Sequence, residues 1–279
     1  MTRRGSIRQG AKGYLLTFPA FAFLAVFFVG PLIVNLLESF KDDEGGITFA
    51  QYARALGDAY YLEVLGDTIA LSLVVTIASL LLGYPLAIAI ARSRGALKSF
   101  LIFLVVTPLL INVVVRTFGW MVIFGRSGFL NSILKFLELD TITLTGTWTG
   151  IAIAMVQVLL PFMVLSIAST LEGIDGELED AATTLGATPL KTIIHVIFPL
   201  SLQGVITGTV LVFALSIGSF VTVMLMGTNS TMVLPLLVYQ QLNLASDWPF
   251  AAALGNILIF VVLIATALQL SLSRKGARR

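Results

Sequence analysis

Apolar residues in this chain come in long blocks and do not alternate with polar ones. Six blocks, at 14–40, 64–91, 100–124, 147–171, 202–226 and 250–272, reach the roughly 20 residues that a helix rising ~1.5 Å per residue needs to cross ~30 Å of hydrocarbon. A spanning β-strand would show short segments of period two, and the run at 69–82 has no such period. The pattern predicts an all-α membrane protein, with one transmembrane domain over 1–279 and six transmembrane helices. The first block follows Arg3, Arg4, Arg8 and Lys12, and Ala20-Phe21-Ala22 resembles a signal-cleavage site. The apolar run continues through Pro31 to Leu37. That is too long for a signal core, so the block reads as an uncleaved anchor.

Composition sharpens this picture. Hydrophobic residues make up 57% of the 279 and charged residues 11%, where a soluble domain carries about 25% charge. A soluble enzyme, a disordered chain and a nucleic-acid binder are thereby excluded. There is no Cys and one His, His195. Disulfides, thiol catalysis and Cys-ligated metals are ruled out, and no metal or cofactor is expected.

Charge predicts orientation. With the N-terminus inside, twelve of the 17 basic residues fall in inner segments: Arg3, Arg4, Arg8, Lys12, Arg92, Arg94, Lys98, Lys191, Arg274, Lys275, Arg278 and Arg279. Four fall outside (Lys41, Arg54, Arg126 and Lys135), and Arg116 lies within a block. Basic residues concentrate on the cytoplasmic side of a membrane, so both termini are expected there. Ten of the 15 acids then lie at or beyond the outer edge. They form either a solvated acidic face or one that attracts cations or a basic partner.

The inner loop at 172–201 is long, acidic and helix-prone, unlike the short basic inner loops of most multi-spanning proteins. Residues 177–185 suit a short helix with acids in its first turn, where the macrodipole favours them. Gly186 suits its C-terminal stop, and Pro189 can open the next helix. An acidic amphipathic helix on the inner surface is a docking element or a plain connector; lipid alone gives no reason for its acids.

Asp180-Ala181-Ala182, three residues, Gly186, and then Val196-Ile197-Phe198-Pro199 resemble the "EAA" motif of bacterial ABC importer permeases. Spacing matches throughout; Asp180, Val196 and Phe198 are conservative departures. The resemblance implies a type I importer permease of the MetI-like fold in the bacterial inner membrane. It also implies that Glu179, Asp180, Ala181, Ala182, Gly186 and Pro199 belong to a coupling element that sits in a groove of a cytoplasmic ATPase. The implied partners are two ATPase subunits, an extracytoplasmic solute-binding protein and a second permease chain, with a heterodimer favoured. Further segments resemble the spermidine/putrescine permease branch, its B-type subunit above all: Gly83-Tyr84-Pro85, Asn112 to Gly119, Gly128 to Asn131, Leu160 to Met163, and Asp247 to Phe250.

A polyamine calls for carboxylates or aromatic faces. No block carries an acid at its middle. Glu38 and Asp67 stand near the outer ends of the first two blocks, and Asp247 precedes the sixth. With Trp120, Tyr239 and Trp248 they are the candidate cation contacts, though each aromatic also suits an interfacial belt. Arg116 is a pathway residue or a structural one bonded to backbone carbonyls. Contact between Arg116 and solute would favour a zwitterionic or anionic cargo. Pro and Gly in the blocks serve packing or hinging; Gly204 and Gly208 have a spacing that permits close helix approach.

Two functions of different class follow. One is a non-catalytic transport subunit, with ATP hydrolysis in partner chains. The other is an intramembrane enzyme, which would need carboxylate pairs, His ligands or polar nucleophiles within the blocks; one loop His and no mid-block acid argue against it. Nothing matches the phosphate-binding loop of an ATPase.

Overall fold

The computed structural model describes residues 19, 21–42 and 46–276. Arg3, Arg4, Arg8, Lys12, Asp43, Glu44, Arg278 and Arg279 lie outside them. The helices in chain order are α1 (Phe21–Glu38), α2 (Ala50–Gly57), α3 (Ala59–Arg92), α4 (Gly95–Val106), α5 (Val113–Phe124), α6 (Phe129–Phe136), α7 (Trp148–Glu172) and α8 (Glu177–Thr184). They are followed by α9 (Pro189–Ile217), α10 (Val221–Met226), α11 (Leu234–Gln240) and α12 (Trp248–Gly276). An isolated bridge between Lys41 and Ile47 is the sole β pairing among the described residues. Six helical segments are long and apolar enough to cross a membrane: α1, α3, α5–α6, α7, α9 and α12, joined by the shorter apolar stretch Gly95–Leu110.

Two predicted blocks are not single helices. The block at 100–124 breaks at Ile111–Asn112. After α4 the chain tightens into a 3₁₀ turn at Thr107–Leu110 containing Pro108. The Asn112 side chain then accepts from the Val114 N–H at 2.8 Å and starts α5 as a new helix. The block at 202–226 is divided as well. Its helix begins at Pro189, ends at Ile217 and is followed by the separate α10. Pro199, which lacks an N–H, is accommodated just after a π turn at Ile193–Ile197.

The chain forms two compact units, Met1–Asp58 with Val238–Ile257 and Ala59–Leu237 with Leu258–Arg279. The larger is organised around α3, α7 and α9. Ile151, Met163, Val164 and Ile167 of α7, Val75 and Ala87 of α3, and Val212 of α9 are fully enclosed. Small residues make this possible. A Cβ on Gly204 would stand 2.5 Å from Thr170 Oγ1, and one on Gly208 would stand 2.8 Å from Met163 Sδ. The α9 backbone therefore lies against α7, where dispersion rather than a hydrophobic force holds membrane helices together. Within α3, Thr68, Ser72 and Thr76 are buried and bond back to carbonyls four residues earlier at 2.6–2.7 Å, so their hydroxyls are satisfied away from water.

In the smaller unit, polar side chains join α1, α2 and α12. Asn35 donates to Asn256 at 2.9 Å, Asn256 to Tyr52 at 3.2 Å, and Tyr52 shares a 2.8 Å bond with Ser39. Arg54 pairs with Asp247 at 2.8 Å and lies 3.9 Å from the centre of the Phe250 ring.

Candidate functional site

Helix α8 is built as its sequence dictates. Glu177, Glu179 and Asp180 fill its first turn, and the Asp175 carboxylate accepts from the Glu177 N–H at 3.0 Å. Gly186 adopts φ +82°, a left-handed conformation that a Cβ disfavours. There the Gly186 N–H reaches Thr183 O and the Ala187 N–H reaches Ala182 O, at 2.9 and 3.0 Å; these bonds close the helix end. Pro189 occupies the first turn of α9. Asp180, Ala181, Gly186 and Pro199 are exposed, and the space where a Gly186 Cβ would sit is open. Leu178, Leu185 and Leu190 add exposed apolar side chains. Glu179 differs, because its carboxylate turns inward and pairs with Arg92 at the end of α3.

The seven path candidates separate once their partners are known. Glu38 pairs with Lys41 at 2.6 Å. Asp247 pairs with Arg54 and accepts from the Phe250 N–H at 3.1 Å, which ties down the start of α12. Arg116 donates from Nη1 to the Pro108 carbonyl at 2.6 Å. It thus bridges the break before α5, the arrangement expected of a structural arginine. An unpaired charge there would cost at least ~2.5–3.5 kcal/mol. Trp120 stacks on Phe124 and donates to Gln157 at 3.4 Å. Tyr239 is exposed, and its carbonyl accepts from Asn243 at 2.9 Å.

The structure gathers some candidates and leaves others apart. Glu38 and Trp248 line one groove of about 900 Å³ in the smaller unit, with Asn35 between apolar walls. Asp67 lines a groove of about 560 Å³ in the larger unit, together with Trp148, Thr149 and apolar positions of α3 and α7. Among the three candidate acids, Glu38 and Asp247 have cationic partners, and Asp67 has none among the described residues. Trp148 was not foreseen from sequence. Its signal is weak, an aromatic residue at the start of a span, and its proximity to Asp67 arises from helix packing across 81 positions.

This fold, with a capped loop helix between two spans, has known relatives. Residues 79–277 match the family described as binding-protein-dependent transport system inner membrane component. The chain belongs to that family. As a member of this permease family it is a multi-pass inner-membrane protein and a non-catalytic permease subunit of an ABC importer. It is similar to the spermidine/putrescine transport system permease protein PotB of Escherichia coli (strain K12), with 33% identity over 254 residues covering 89% of this chain and 92% of that one. It is also similar to the molybdenum transport system permease protein ModB of Mycobacterium bovis, with 35% identity over 189 residues covering 67% and 70%. A solved bacterial alginate ABC transporter, in complex with an alginate pentasaccharide-bound periplasmic protein, superposes with TM-score 0.80 at 19% identity over 97% of this chain and 96% of that one. At that identity the likeness establishes the shared permease fold.

Proposed function

We propose that this permease passes a cationic solute of the polyamine class. It works beside a second, homologous permease chain, two cytoplasmic ABC ATPases and an extracytoplasmic binding protein. Its termini face the cytoplasm, in accord with the basic residues of the inner segments. Helix α8 with its exposed Asp180 and Ala181, the half-buried Ala182, and the exposed Gly186 just past its end docks in the ATPase groove.

The observation that carries the substrate reading is Asp67. It is a half-buried carboxylate without a cationic partner among the described residues, inside a membrane-crossing helix, and it lines a largely apolar groove with Trp148 and Thr149. An ionised group at such a place belongs against protein or water and not lipid. A carboxylate with an aromatic face suits an ammonium group, and apolar walls suit the methylenes between ammonium groups. The similarity to PotB points the same way. The rival reading, an anionic solute, draws on the similarity to ModB and on Arg116, whose guanidinium is already engaged by Pro108.

The test is uptake into proteoliposomes holding the full transporter and its binding protein, with spermidine, putrescine, an amino acid, an aminophosphonate and molybdate offered in turn. Polyamine uptake is expected, and Asp67→Asn should lower it about tenfold, as loss of a charge-assisted bond worth ~1.5–3 kcal/mol implies. Uptake of molybdate or the aminophosphonate without polyamine uptake refutes the cationic reading. Unchanged polyamine uptake by Asp67→Asn removes that residue from the path.

A further inference from the structure

Arg92 closes α3, and its guanidinium reaches two other elements. Nη1 points at the carbonyl of Leu171 in the last turn of α7 and at that of Ile174 just beyond it, at 3.5 and 3.4 Å. Those bonds are long and weak. The strong contact is the ion pair from Nη2 to Glu179 in the first turn of α8. The two paired atoms are shielded while the side chains stay 29% and 26% exposed, so salt screens this pair less than a fully exposed one.

The chain between α7 and α8 makes this contact consequential. It reads Gly173-Ile174-Asp175-Gly176, four residues with a glycine at each end. Such a linker bends at low energetic expense. A force applied to α8 would be absorbed there unless a second connection bypassed it. Arg92–Glu179 is such a connection, and it ends on a different membrane helix from the one that precedes the linker. Lys98 of α4 adds a weaker, exposed bond to Glu172 at 3.0 Å.

We propose that Arg92, paired with Glu179, is a positioning residue that ties α8 to the inner ends of α3 and α7, so that the three move as one body when the ATPase moves α8. The inference rests on the reading of α8 as the ATPase-docking helix. It gives Glu179 a role different from its neighbours: Asp180 and Ala181 face outward toward the partner, whereas Glu179 transmits within the chain. Because the tie ends on α3, it reaches the helix that carries Asp67, about 25 residues and ~38 Å farther along its axis.

The experiment uses the complete transporter in proteoliposomes and scores three quantities together: inserted permease, co-purified ATPase, and solute imported per ATP hydrolysed. Glu179→Gln keeps the shape and removes the charge. Insertion and ATPase retention should match the parent, hydrolysis should continue, and solute per ATP should fall about tenfold, within the range for residues that carry coupling. Loss of the ATPase from the Glu179→Gln complex would make Glu179 a docking contact and overturn the tie. Unchanged solute per ATP would also overturn it. The chain has no native Cys, so an Arg92→Cys/Glu179→Cys permease can be bridged by a thiol cross-linker as long as the side chains it replaces. Bridging should return solute per ATP to within about twofold of the parent; no recovery over the unbridged pair would count against the tie. An unaltered permease that retains no ATPase would refute the docking reading itself, and the tie with it.

Discussion

Helices α1 and α7 look alike as strings of apolar residues, and the fold treats them in opposite ways. In the most apolar stretch of α7, 61% of residues are buried within the chain; in that of α1, none are. Helix α7 places Gly150, Ala154 and Ala168 in the core beside Met155, Met163 and Ile167. Helix α1 presents Phe21, Phe23, Phe27 and Phe28, each more than half exposed. Inside a bilayer no hydrophobic force separates these cases, because lipid tails are as apolar as Leu. What separates them is shape. Small residues on α7 and on the facing α9 let backbones approach, and the gain in dispersion favours helix on helix over helix on lipid. The phenylalanines of α1 keep neighbours at a distance and match hydrocarbon.

Three substitutions test this contrast, and the largest effect belongs to the buried helix. Met163→Ala empties a fully enclosed site on α7. The transfer part of the penalty is absent in lipid, but the cavity part remains, so a stability loss of about 2 kcal/mol is expected. Thermal unfolding of the purified permease in detergent reads it, and an unchanged midpoint would break the contrast. Gly204→Val comes next. Its Cβ would meet Thr170 Oγ1 at 2.5 Å and the Ser166 carbonyl at 2.9 Å, and overpacking of this kind costs about 1–3 kcal/mol. The same melt should shift down, and a second change, Thr170→Ala, should recover part of the shift by removing Oγ1, the nearest atom. The smallest effect is expected from Phe27→Ala on α1, within about 0.5 kcal/mol. A larger loss in the isolated chain would mean that α1 packs in a way its exposure does not reveal.

The same distinction explains which parts of the permease were legible in its sequence. Hydropathy located six crossing segments because burying backbone in hydrocarbon demands long apolar helices, and that demand is local. The stop at Gly186 and the start at Pro189 were legible because backbone dihedral preference is a property of single residues. The break at Ile111–Asn112 was harder. Pro108 and Asn112 signal it locally, but the apolar run passes over both without interruption. The pairing of Glu179 was not legible, since Arg92 lies 87 positions away and the neighbouring acids look equivalent to it. Arg116 could be read only as a charge within a span; its bond to the Pro108 carbonyl came with the fold. Glu38, Asp67 and Asp247 were interchangeable as acids near span ends; their partners made them different.

By itself, then, the sequence determined the class of protein, the number of crossings and the capped helix of the loop between α7 and α9. Each follows from energies that act within a turn or two of one segment. Tertiary structure alone decided which span is core, which of the three candidate carboxylates lacks a cationic partner among the described residues, and which acid of α8 turns inward to Arg92. Those outcomes depend on contacts between residues far apart in the chain. In a membrane such contacts are chosen by side-chain volume and by the need to pair every buried charge, and one helix read alone reveals neither.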